Sequence, residues 1–309
     1  MRFGSFEWLC RDTPSYTWCN LFYHQLQERG LGATLNLDPP ASAPMGINPE
    51  CGIPKMGSDG SLGNIANIVI CAVSFLLVLG LIVMAHRRKA AVGRTELQIF
   101  MILYLISLPL QLVTTGALLE QGSTGLTAVT AVHAAVVATL FWSLLANGLI
   151  ATQIVEDGTL SSLIPVGILS ILIFAGTLYV SLDVGFNFTS ALQSDPPQDL
   201  LSIPLFVLTS IWPAACFAIY FILMTYIVLG VLREIRPMWF YVLSGILFVL
   251  SQLAYFLLGK VVCNGTNGKI DGTFIATFLE TAAVGVLYLA WKSITEESWD
   301  DDPYYPSYS

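Results

Sequence analysis

Charge is what this 309-residue sequence has least of: Asp, Glu, Lys and Arg make up 11% of it and hydrophobic residues 55%, where soluble domains carry about 25% charged residues. A mean hydropathy of +0.71 agrees, and a water-soluble globular domain is excluded. Histidine is almost as scarce. His24, His86 and His133 are the full set, and the topology derived below scatters them over different levels, so they assemble no zinc site. There is no Gly-x-Ser-x-Gly elbow, no Gly-rich phosphate loop and no helical His-Glu-x-x-His, which leaves no catalytic, metal or cofactor site to assign. A net charge of −8 provides no basic field for nucleic acid. A cleavable signal peptide is not expected, because Met1 to Trp8 contains Arg2 and Glu7 and no long apolar core.

What is present is a series of charge-free runs: 60–86, 97–119, 121–155, 158–182, 200–232 and 237–259. Each is long enough for a membrane helix of about 20 residues, and none reaches the more than about 40 that two spans and a turn would need. A seventh candidate, Thr273 to Trp291, contains Glu280. A mid-span carboxylate costs roughly 2.5–3.5 kcal/mol, and the surrounding Phe, Ile, Leu and Val residues return about 0.3–0.6 kcal/mol each. The two sides nearly balance. The expectation is an all-α integral membrane protein, a polytopic bundle of seven helices at about 64–85, 97–117, 126–149, 162–182, 204–229, 238–259 and 273–291. Residues 1–63 form a Cys-containing segment before the membrane domain (64–292), and 293–309 an acidic tail.

Arg87, Arg88, Lys89 and Arg94 follow the first span, Arg233 and Arg236 separate spans five and six, and Lys292 follows span seven. The positive-inside rule puts these positions in the cytosol, with a lumenal or extracellular N-terminus and a cytosolic C-terminus. An even number of spans, with the C-terminus outside, is the topological alternative. In this arrangement Cys71 and Cys216 lie within spans, while Cys10, Cys19, Cys51 and Cys263 share the oxidising side. Three pairings are open. Cys10 with Cys19 and Cys51 with Cys263 is favoured, since the first encloses the turn-prone Thr13-Pro14. Asn187 and Asn264 begin glycosylation sequons on that same side, each close to a span end.

Inside the bilayer, ionisable groups are functional candidates by default, and here they are His133 and Glu280, with Asp183 at the end of span four. Each of the first two is the eighth residue of its span, about 10 Å below the outer interface. They could pair if spans three and seven touch; a hydrogen bond from Gln252, Tyr255 or Asn147 to Glu280 would satisfy burial equally well. Ala131, Ala134, Ala135 and Ala138 permit close helix approach in span three, and Pro109 and Pro213 predict kinks. The tail, with Asp300, Asp301 and Asp302, is either solvated or a sorting signal for vesicle coat machinery.

Several short motifs recur in an order that is more specific than any one of them. They are Phe3-Gly4-Ser5-Phe6 with Cys10, Thr13-Pro14 and Cys19; Ala91-Val92-Gly93-Arg94-Thr95-Glu96-Leu97; Glu156-Asp157-Gly158-Thr159; Cys263 with Asp271-Gly272; and Trp291 before the acidic tail. Together they resemble the fungal chitin synthase export chaperone family over nearly the whole chain. The Gly-rich stretch from Gly52 to Gly63 departs from that family's pattern. The resemblance implies an endoplasmic reticulum membrane protein, without chemistry of its own, that helps a chitin synthase fold and leave for the cell surface, with travel to the plasma membrane alongside its client left open. Arg94, Glu96, Glu156 and Asp157 are the candidate partner contacts by motif position. A seven-span receptor and a small-solute transporter are the rival readings. Short cytosolic loops speak against the first, and an odd span count with only two interior charges against the second.

Overall fold

The computed structural model describes residues 2–28, 65–88, 93–115, 118–119, 122–153, 156–189, 192, 196, 199–267 and 269–295. Among them the fold is helical, with one isolated antiparallel bridge between Ser5 and Leu201. Two short helices, α1 (Glu7–Asp12) and α2 (Cys19–Glu28), precede seven long ones. These are α3 (Ile65–Arg87), α4 (Arg94–Thr115), α5 (Thr124–Ala151), α6 (Leu160–Phe186), α7 (Ile203–Val231), α8 (Arg236–Gly265) and α9 (Gly272–Thr295), all long and apolar enough to cross a membrane.

The seven long helices coincide with the seven expected spans, and several run a few residues further. The extensions come from capping groups that lie outside the apolar core. Ser123 accepts a hydrogen bond from the Leu126 N–H at 3.3 Å and so starts α5 two residues early. Asn187 takes the left-handed conformation (φ 56°) that ends α6, a position this residue type tolerates. Pro204 and Pro237 occupy first-turn positions, where a missing N–H costs nothing. Pro213 sits just after a π-helical turn, Val207–Ile211, which absorbs the disruption expected at a mid-span proline. Further π turns, Tyr226–Val231 and Ala254–Leu258, interrupt α7 and α8.

The buried share of each span's most apolar 18-residue stretch orders the bundle. In α5 it is 67% and in α6 6%, so α5 runs through the centre, while α6 turns much of its apolar stretch outward and buries its cap end through Ser181, Asp183, Val184 and Gly185. α5 packs on α4, α6 and α7; α9 packs on α8 and α3; and α3 closes onto α4. Close approach depends on absent side chains: a Cβ on Gly148 would fall 2.8 Å from Tyr220 Cδ2, and one on Gly185 2.6 Å from Thr127 Cγ2. In a lipid solvent such contacts replace the hydrophobic effect as the force between helices.

Two apolar cores result. One, toward the Arg94 end of α4, gathers Phe100, Met101, Tyr104, Leu144, Met224 and Trp291. The other lies under the N-terminal segment and joins Phe6, Trp18, Leu21 and Phe22 to Ala131, Ala134, Val184 and Leu205. The N-terminal hairpin is therefore a cap sealed onto one end of the bundle. Ala131 and Ala134 are filled by that cap, and Ala138 supplies the carbonyl that accepts from the Trp212 indole at 3.1 Å.

Candidate functional site

The cap is built from one local disulfide and from long-range bonds that no local pattern contains. A disulfide joins Cys10 to Cys19 across the Thr13-Pro14 turn. Phe6 N–H donates to Leu200 O (3.0 Å), Ser202 N–H to Gly4 O (3.0 Å), and Arg2 pairs with Asp199 at 2.6 Å. Asp271, 1% exposed, accepts from the Ser15 hydroxyl and from both the hydroxyl and the N–H of Thr273, while Tyr255 donates its phenol proton to Ser15 O at 2.8 Å. Burial raises the Asp271 carboxyl above its ordinary value, against those hydrogen bonds. Asp271 thus ties the α8–α9 turn to the hairpin. Neither Ser15 nor Tyr255's role here was visible in the sequence. A hint lies in the aromatic residues Phe6, Tyr16, Trp18 and Phe22 within the Cys-containing N-terminal segment.

Cys263 is also disulfide-bonded; Cys51, its expected partner, lies outside the described residues, as do Asp300, Asp301 and Asp302. Cys71 and Cys216 are buried thiols. Of the two sequons, Asn187 is engaged through its side-chain oxygen by Gln25 at 2.7 Å, and Thr189 donates its hydroxyl proton to Asp183 at 3.0 Å. Asn264 is exposed at the end of α8. Asp183 is thereby a local cap of α6, also accepting from the Thr189 N–H at 2.6 Å.

His133 and Glu280 do not bond to each other. His133 Nδ1 meets Thr114 Oγ1 at 3.2 Å and its ring lies 5.4 Å from that of Trp18. Glu280 Oε1 accepts from Gln252 Nε2 at 3.0 Å, the alternative that burial alone had allowed. Tyr255 is committed to Ser15, and Asn147 lies at the opposite end of the bundle beside Gly93. Further polar pairs run between helices at this level: Gln111 to Thr277 (2.7 Å), Tyr104 with Thr281 (2.9 Å), and Thr281 to Ser74 (2.8 Å). Intramembrane polarity here serves as interhelical bonding.

At the end away from the cap, two loops hold each other. Gly93 N–H donates to Asp157 at 2.7 Å, and Gly158 N–H donates to Glu96 at 3.0 Å. Both glycines have positive φ, 67° and 66°, which aims their N–H groups across. Glu96 is buried (2% exposed) and is also approached by the Ser162 hydroxyl at 3.4 Å. Glu96 and Asp157 therefore clasp the α3–α4 turn to the α5–α6 turn, and the exposed Glu156 with half-buried Arg94 remains at the surface of the clasp.

No group of three or more His, Cys, Asp or Glu residues that could hold a metal is found among the described residues. The arrangement defines a class: a polytopic membrane bundle, capped at one end and clasped at the other, whose ionisable side chains are largely occupied with its own packing. The chitin synthase export chaperone profile matches residues 2–303, and the chain belongs to that family. Curated relatives called chitin synthase export chaperone include one from Emericella nidulans, 29% identical over 78% of this chain and 76% of its own length. Others come from Phaeosphaeria nodorum, at 30% over 75% and 71%, and from Coccidioides immitis, at 26% over 96% and 84%. No solved structure gives a significant match. The family is a chaperone and export factor, not an enzyme.

Proposed function

We propose that this protein acts in the endoplasmic reticulum membrane as the export chaperone of a chitin synthase, binding the newly inserted synthase until it is folded and competent to leave for the cell surface. The observation that carries this is the family match across 2–303. The proposed orientation has the disulfide-bearing cap in the lumen and the Glu96–Asp157 clasp in the cytosol. Its support is that Arg87, Arg88, Arg94, Arg233, Arg236 and Lys292 all sit at the clasp end, while a disulfide needs an oxidising compartment.

The proposed client contacts are the outward span faces, including the apolar stretch of α6, of which 6% is buried, together with Arg94 and Glu156 at the clasp. The acidic tail with Asp300, Asp301 and Asp302 is proposed to meet vesicle coat machinery. Deleting the gene and imaging a tagged chitin synthase tests the export claim. Retention of the synthase in the endoplasmic reticulum and a loss of wall chitin are expected, and normal delivery with normal chitin would overturn the reading.

A further inference from the structure

Inside the bundle, between α4, α5, α7, α8 and α9, lies a cavity of about 440 Å³, within the size range of small-ligand sites. Its two halves differ chemically. Because α4 and α8 run toward the cap while α5, α7 and α9 run away from it, Gln111, His133, Ser210, Gln252 and Glu280 all fall in the half nearer the cap, roofed by Tyr16 and Trp18. The other half is walled mainly by Phe141, Leu144, Phe217, Phe221, Phe248 and Leu287; Tyr104, Tyr220, Tyr241 and Ser244 also line it, with the Tyr104 hydroxyl bonded to Thr281 and the Ser244 hydroxyl donating to Ala283 O. Among the described residues neither Lys nor Arg lines the space, and Glu280 is the carboxylate there, acting as acceptor.

The side of the cavity is the seam between α7 and α8, which meet far less extensively than α8 and α9. Phe217 and Phe248 close it with ring centroids 4.5 Å apart, and Phe221 lies against Gly245, where an added Cβ would be 3.3 Å from its ring. These residues stand midway along their spans, at the depth of the lipid tails. What passes such a seam must dissolve in hydrocarbon. What rests behind it meets an apolar chamber with hydrogen-bond acceptors at one end.

We infer that the cavity binds a membrane-soluble amphiphile whose hydroxyl or amine head donates a hydrogen bond to Glu280 while its apolar body lies among Phe141, Phe217 and Phe248. This goes beyond the export role and does not depend on a client. The test uses the purified full chain in lipid nanodiscs with three clickable diazirine probes: a sterol with a hydroxyl head, a long-chain primary alkylamine with an amine head, and a fatty acid with a carboxylate head. The sterol, the alkylamine or both should crosslink to peptides from the seam, Pro213 to Phe221 or Tyr241 to Gln252, in competition with the unlabelled compound. The stronger of the two labels identifies the preferred head. The fatty acid should not, since its carboxylate would face Glu280. Loss of a buried bond to a charged partner predicts a drop of about tenfold or more in labelling for Glu280→Leu, and Gly245→Trp, which fills the seam, should lower it comparably. Labelling that is uncompeted and spread equally over the outward-facing Leu160–Phe186 helix, or fatty-acid labelling of the seam as strong as the others, would overturn the inference. Competition in the unaltered protein decides the matter if either variant fails to fold.

Discussion

Three donors from two elements converge on the carboxylate of Asp271 in a buried turn. Removing it with Asp271→Ala leaves those donors facing a cavity, and a buried unsatisfied group costs about 1–3 kcal/mol. The expected result is a clear fall in the thermal unfolding midpoint of the detergent-solubilised protein, while Asp199→Ala, which breaks the exposed Arg2 pair, should leave it nearly unchanged. The raised pKa adds a sign. A carboxyl whose folded value lies above its unfolded value takes up a proton on folding, so its contribution is complete below the ordinary Asp value and is lost as pH rises through the raised one. Unfolding midpoints measured across that window should decline for the native chain, and Asp271→Asn should flatten the decline.

Helices and turns show where reading from sequence stops. Seven spans were legible because the bilayer imposes a length and a charge rule on every helix that crosses it, and the balance around Glu280 resolved in favour of a span because Gln252 supplies a partner. The helices run a few residues past the expected spans, since Ser123 and Asn187 act through capping geometry that hydropathy does not record. The Gly-Arg-Thr-Glu and Glu-Asp-Gly-Thr motifs were readable as motifs, yet their role as mutual acceptors for each other's glycine N–H groups needs the two turns side by side. Either glycine replaced by alanine must hold a positive φ, at about 1–2 kcal/mol. Gly93→Ala and Gly158→Ala should each lower the unfolding midpoint, and the double variant should cost less than the sum, because once one arm of the clasp is lost the other is weakened. Strict additivity would show that the two turns act independently. At the α8–α9 crossing the constraint is space: a Cβ on Gly272 would stand 2.7 Å from Gly259 Cα and 2.7 Å from Ala254 O, both backbone atoms that cannot turn aside. Gly272→Val should therefore be poorly folded and retained as aggregates by size-exclusion chromatography, and Gly265→Val, with open space around it, should not.

For the molecule as a whole, the cap determines how much of the chain behaves as one unit. Its hairpin reaches α5, α6, the segment before α7 and the α8–α9 turn, so residues 2–28 of the Cys-containing segment set before the membrane domain are the common lid of the bundle. No period or run length could disclose this, because the contacts that seat it come from residues far along the chain, from Thr114 to Leu200, Tyr255 and Asp271. The disulfide limits how far the lid can open when those contacts lapse. In the chain-entropy account a loop of about ten residues is stabilised by roughly 2.7 kcal/mol on closure, and here Cys10 and Cys19 bracket that loop. Replacing both with serine should loosen the cap without dismantling the spans, since α3 to α9 make their own contacts. The expected outcome is a protein that still inserts but shows faster protease cleavage within residues 2–28 and, in cells, slower surface delivery of tagged chitin synthase. Unchanged cleavage in the variant would mean that the bonds from Leu200, Asp271 and Tyr255 hold the lid unaided. Faster cleavage with undiminished delivery would separate the lid's closure from the export role and direct the search for client contacts to α6 and the clasp.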